Sequence, residues 1–93
     1  MRVTEPAADL ALALAVASAA YDVPLPPHVV ALGEVGLAGD VRRVTGLRRR
    51  LAEAARLGYK TAFVPPGQND TPPGVRAIEV TDLGASVRRL RQG

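Results

Sequence analysis

The sequence predicts an α/β (α+β) fold, and three observations carry that reading. Short runs rich in β-branched residues, Val29–Val35, Val41–Val44, Lys60–Val64 and Val75–Val80, recur along the chain. Between and around them lie helical runs: Ala7–Ala20, Leu47–Leu57, and a last one whose Leu83, Val87 and Leu90 fall at helical spacing. Glycines and prolines separate the two kinds of run.

The first helix opens with Thr4 as N-cap and Pro6 in the first turn, where a missing N–H costs nothing. Arg2 and Val3 read as the end of a strand before it. Leu10, Leu14 and Ala17 share one face, and Leu12 and Val16 another. A helix apolar nearly all round is expected to be covered on several sides, by a sheet on one and by an oligomeric or missing partner on another. Asp9 in the first turn suits the helix dipole. Pro24, Pro26 and Pro27 make the next segment an extended loop. Val29–Val35 follows as an inner strand, opened by His28, which reads as a surface or capping residue.

Gly33–Gly58 is the stretch around which the chain is organised: strand, tight turn, strand and basic helix. Gly36 and Gly39 are the residues expected to supply positive φ at the turn. The helix Leu47–Leu57 starts at Gly46 and stops at Gly58, a common residue just past a helix end. Strand, helix and strand through Lys60–Val64 form a crossover, with parallel neighbours. Gly67–Gly74 is a polar, proline-rich loop, expected to be mobile. Thr81 or Asp82 caps the last helix, and Arg88, Arg89 and Arg91 suit the dipole at its end.

Ninety-three residues make one small domain, with 47% apolar content and aromatics limited to Tyr21, Tyr59 and Phe63. Much of that apolar content is alanine, so close helix packing and modest stability are expected. No cysteine is present, which excludes a disulfide and a thiolate metal site, and His28 is the one histidine. Ala7–Ala20 is too short to span a bilayer and lacks a basic signal-peptide lead beyond Arg2, so it reads as a buried helix of a cytoplasmic protein. The net charge of +3 and pI ≈ 10.2 rest almost entirely on arginine and favour an anionic partner.

Arg42, Arg43, Arg48, Arg49 and Arg50 are the candidate contacts for DNA or a second subunit. Strand alternation sends Arg42 and Arg43 to opposite faces. Arg48, Arg49 and Arg50 cover a wide arc of the helix, and Glu53 is expected to pair with Arg49 or Arg50. The bland reading of Arg49, Arg50 and Arg56 is a solvated face. No aromatic platform accompanies the arginines, so base stacking is not expected. The chain has no phosphate-binding G-x-x-x-x-G-K-[ST] loop, no cluster of metal ligands and no Ser-His-Asp set. Its serines are Ser18 and Ser86, and a Ser–Lys dyad would need Lys60, the sole lysine.

Several segments together resemble a known family over nearly the whole chain, in order and with its spacing. They are Thr4-Glu5-Pro6-Ala7-Ala8-Asp9, the Ala/Leu helix, Gly33-Glu34-Val35-Gly36-Leu37-Ala38-Gly39, Val41-Arg42-Arg43-Val44, Gly46-Leu47, Leu51-Ala52-Glu53-Ala54-Ala55 through Gly58, and Ala62-Phe63-Val64-Pro65. The resemblance is to the C-terminal Lon-protease-like domain of the bacterial recombination and repair family RadA (Sms). It is more distant to Lon peptidases and to the Lon-like part of competence-related magnesium-chelatase-like proteins. It implies a Lon-protease-like, ribosomal protein S5 domain 2-like architecture, with helices on a mixed sheet. It also implies that this sequence covers the C-terminal portion of that domain, the family's domain beginning well before Thr4. Met1 is accordingly expected to stand in place of an upstream residue.

Lon peptidases carry their nucleophile in a Gly-Pro-Ser-Ala-Gly segment, matched here by Glu5-Pro6-Ala7-Ala8-Asp9. Ala7 stands where serine would be. Their catalytic lysine follows a Gly-Leu pair, matched by Gly46-Leu47-Arg48, so Arg48 stands in its place. Alanine has no nucleophilic atom, and arginine stays protonated. The resemblance therefore implies a peptidase fold without peptidase chemistry, and no catalytic residue. It implies that this part supports ring assembly and offers a sequence-independent DNA surface to a DNA-dependent ATPase acting in strand exchange and branch migration. ATP and zinc would belong to other parts of such a protein, with no cofactor or metal in this chain. A residual hydrolase using another group is the competing class.

Overall fold

The computed structural model describes residues 9–26, 28–67 and 71–91. The elements run α1 (Asp9–Tyr21), β1 (Val29–Ala31), β2 (Glu34–Val35), β3 (Val41–Arg42), α2 (Leu47–Arg56), β4 (Thr61–Val64), β5 (Arg76–Glu79) and α3 (Leu83–Arg91). The α/β class stands. Both strand orientations occur: β1, β4 and β5 form a parallel sheet in the order β1-β4-β5, and β2 and β3 form an antiparallel hairpin.

Side-chain alternation along the parallel strands builds two apolar layers. Ala31 and Phe63 join Leu10, Leu14, Val41, Val80 and Leu90 on one side, so α1 and α3 cover that face. Ala62 and Val64 join Leu47, Leu51 and Val75 on the other, so α2 covers that one. β4 is central, which explains why Ala62, Phe63 and Val64 are all at most 2% exposed.

The segment read as one inner strand, Val29–Val35, is two strands in two sheets. The break falls at Leu32-Gly33, where the Gly33 carbonyl accepts from the Leu10 N–H at 2.9 Å. A Cβ on Gly33 would lie 2.9 Å from Val41 Cγ1, so only glycine lets the chain pass between α1 and β3. β3 ends at Arg42 rather than Val44 and pairs with β2, not with β4. The parallel neighbours of β4 are instead β1 and β5, so the crossover runs from β1 through hairpin and α2 to β4. The hairpin is tied to the connection between β5 and α3 through the Val41 N–H, which donates to Thr81 O at 2.9 Å.

At the hairpin turn Gly39 has φ 86, while Gly36 is not in the left-handed region. Gly36 is required for space: a Cβ there would lie 2.8 Å from Arg42 Nε. Gly58, φ 98, ends α2 as expected. Asp82, not Thr81, caps α3: its Oδ1 accepts from the Ala85 N–H at 2.7 Å. Leu10, Leu14 and Ala17 are the buried face of α1, and Leu12 and Val16 are 55% and 64% exposed. Thr4, Pro6 and Ala7 lie outside the described residues, as does part of the Gly67–Gly74 loop.

Candidate nucleic-acid interface

α2 begins without the usual helix-start chemistry. Its N-cap is Gly46, φ 71, with no side-chain cap, and no acid occupies its first turn. Three cations, Arg48, Arg49 and Arg50, stand there instead. Cations oppose the positive end of a helix dipole, and the first N–H groups of a helix lack partners within it. The combination surrounds the start of α2 with positive potential, and a helix start of that kind attracts phosphate.

The five candidate arginines do not form one surface. Arg49 and Arg50 come together, lining an open groove of about 570 Å³ with Val30, Leu32, Glu53 and Leu57. Arg50 Nε also donates to the Thr45 carbonyl at 3.1 Å, holding its guanidinium at the start of the helix. Arg48 is exposed and, at 100° per residue, lies on the opposite flank of α2 from Arg50. Arg42 Nε binds Asp40 Oδ2 at 2.8 Å, so its charge is largely answered within the hairpin. That contact holds the Asp40 carboxyl below its ordinary range and raises Arg42. Arg43 leaves on the other side of the strand, with Nη2 3.5 Å from the Gly67 carbonyl.

Glu53 pairs with Arg56, not with Arg49 or Arg50: Nη2 lies 2.6 Å from Oε1 and 2.5 Å from Oε2. The pair is three residues apart, on one face of the helix, whereas Arg50 is drawn away to Thr45. This raises the Arg56 pKa through the Glu53 hydrogen bond. Arg49 thus lines the groove beside Glu53, whose carboxylate is already bidentate with Arg56.

At the positions matched to the peptidase pair, Arg48 is exposed at the start of α2, and Ala7 lies outside the described residues. Both serine hydroxyls are committed to backbone carbonyls, Ser18 Oγ to Val23 O and Ser86 Oγ to Asp82 O at 3.2 Å. Ser86 is fully buried. Neither hydroxyl is presented to the α2 groove. Among the described residues, no three His, Asp or Glu side chains are grouped to share a metal ion. No described helix is long and apolar enough to cross a membrane.

Sequence reasoning missed a second set of basic residues. His28, Lys60 and Arg76 stand side by side at the amino ends of β1, β4 and β5, bridged by backbone bonds from Lys60 N–H to His28 O (3.0 Å) and Arg76 N–H to Lys60 O (2.9 Å). Positions 28, 60 and 76 are far apart in the chain and align only through the parallel register. A basic residue recurring at the head of each strand was the available signal.

The family model described as subunit ChlI of Mg-chelatase matches residues 2–68. Among curated proteins, the chain is 54% identical over 92 residues to the DNA repair protein RadA of Mycolicibacterium smegmatis, covering 99% of this chain and 20% of that protein. It is 53% identical over 90 residues to that of Mycobacterium tuberculosis, covering 97% and 19%. Against that of Bacillus subtilis it is 38% identical over 91 residues, covering 95% and 20%. The chain thus spans about a fifth of the length of these relatives.

Proposed function

We propose, from the premise that this chain belongs to the family of the Mg-chelatase subunit ChlI and is homologous to the DNA repair protein RadA, that it is a Lon-like, non-catalytic scaffold. In this reading it supports ring assembly of a RadA-type cytoplasmic repair ATPase and offers that ring a sequence-independent DNA surface. ATP and zinc are handled by other parts of such a protein, and this chain binds neither.

One observation carries the DNA half of the reading: Arg48, Arg49 and Arg50 crowd the uncapped start of α2, where acids would be the stabilising choice. Placing cations there costs stability, and a phosphate backbone offsets that cost. The scaffold half rests on homology to RadA together with the arginine at the lysine-matched position and the two serines turned to backbone carbonyls.

The test is fluorescence anisotropy of labelled duplex DNA at several salt concentrations. Arg48, Arg49 and Arg50 changed together to Ala should weaken binding and reduce the slope of log K against log salt by about two to three. Changing Arg42 and Arg43 should matter less, since Asp40 already answers Arg42. Binding that ignores salt, or a triple variant that binds as well as the parent, would sink the DNA half.

The family model favours a second reading, a Lon-like segment of a magnesium-chelatase-like protein of the competence type. The two part in a chimera. In the first reading this chain restores ring assembly to a RadA protein lacking its own matching segment, as seen by sedimentation. In the second it does not.

A further inference from the structure

The parallel sheet places the amino ends of β1, β4 and β5 on one edge of the molecule. α3 packs against the sheet and brings Arg89 to that edge. Arg76 and Arg89 line one cavity of about 180 Å³, with the Thr61 side chain beside them and Phe63, Ile78 and Leu90 among its apolar walls. Neither arginine has an acidic partner among the described residues.

Helix-dipole compensation accounts for only one member of this pair, Arg89. Arg89 shares the last turn of α3 with Arg88 and Arg91, and Arg91 is taken up over the Tyr21 ring at 5.6 Å. Arg76 is on a strand and has no dipole to serve. Both arginines line one small cavity, and an anion held there is attracted by two positive charges at once. Lys60 along the same edge adds to the field, while Asp22 is the acid at that end of α1.

Guanidinium forks match phosphate oxygens, and a hydroxyl adds one more hydrogen bond. The cavity is small and walled by apolar side chains, so it suits a chain end rather than a continuous backbone. We propose that the cavity between β5 and α3, lined by Thr61, Arg76 and Arg89, binds the terminal phosphate of a nucleotide, free or at the end of a nucleic-acid strand. A terminal phosphate carries about −1.5 to −2 charges, against one for a diester, and so gains more from two guanidiniums. The inference goes beyond the α2 reading and does not depend on it.

The test is a ¹H–¹⁵N titration of the 93-residue chain. The probes are inorganic phosphate, a nucleoside 5′-monophosphate, and one oligonucleotide with and without a 5′-phosphate. Phosphate should move the amides of Thr61, Arg76, Ile78 and Arg89. Arg76→Ala with Arg89→Ala should weaken binding about tenfold or more. Arg76→Lys, which keeps charge and fold but loses the fork, should weaken it less. Thermal melting without ligand should show the double variant folded. A preference for the phosphorylated oligonucleotide over the monophosphate supports the site and assigns it to strand ends. Equal affinity for the two supports it and assigns it to free nucleotides. No movement at these amides, or unchanged affinity in the folded double variant, overturns the proposal.

Discussion

Asp40 serves the hairpin through its backbone and its side chain at once. Its carbonyl accepts from the Gly36 N–H at 2.8 Å, and its carboxylate binds Arg42 Nε at 2.8 Å. The hydrogen bond from Arg42 is the main reason its pKa is lowered from 3.8. A carboxyl with a depressed folded pKa contributes stability above its unfolded value and loses it as pH falls through the folded one. The hairpin contact should therefore persist at pH 3.8 and be released only on further acidification, through the lowered Asp40 pKa, and Arg42→Ala should return the Asp40 titration, followed by carboxyl NMR, toward 3.8. The pair is exposed, so salt should weaken it. Asp82 also has a role that a single substitution can test. Asp82→Ala removes the acceptor for the Ala85 N–H and should cost about 1 kcal/mol in denaturant unfolding. Asp82→Asn or Asp82→Ser, which can still cap, should recover most of it.

The helices were legible in the sequence because their information is local. Leu47, Leu51 and Ala54 recur at helical spacing, and they are the buried face of α2. Leu51 is 1% exposed between α2 and the sheet, so Leu51→Ala should cost about 2–5 kcal/mol, read from the denaturation midpoint. The division of Val29–Val35 was not legible in the same way. Every residue of that run suits a strand, and the break is imposed by Leu10 and Val41, which arrive from elsewhere in the chain. Gly33→Ala would push on Val41 and should destabilise by about 1–3 kcal/mol, although nothing in the local sequence marks Gly33 as more critical than Gly36. The same limit governs the site. The crowding of arginine at the start of α2 is contiguous in sequence and was read there. The division of those arginines between the α2 groove, Asp40 and the Gly67 carbonyl is tertiary. The row His28, Lys60 and Arg76 exists only through strand register.

On the scale of the whole molecule, the two basic regions are set apart by the length of a helix. The short connection from Arg56 to Thr61 places the end of α2 near the amino ends of the strands. The start of α2 is then about 15 Å away, ten residues at 1.5 Å each. That exceeds the Debye length of about 8 Å at physiological salt, so the two regions act on an anion nearly independently. Near-additivity follows and can be measured. On a duplex without terminal phosphates, changing Arg48, Arg49 and Arg50 to Ala should flatten the salt dependence, and changing Arg76 and Arg89 should leave it close to that of the parent chain. On a duplex bearing 5′-phosphates, the Arg76 and Arg89 variant should lose affinity as well, and the five-residue variant should lose about the sum of the two effects in free energy. A strongly non-additive result would mean that one bound anion touches both regions, and the separation of roles between α2 and the strand ends would then be wrong.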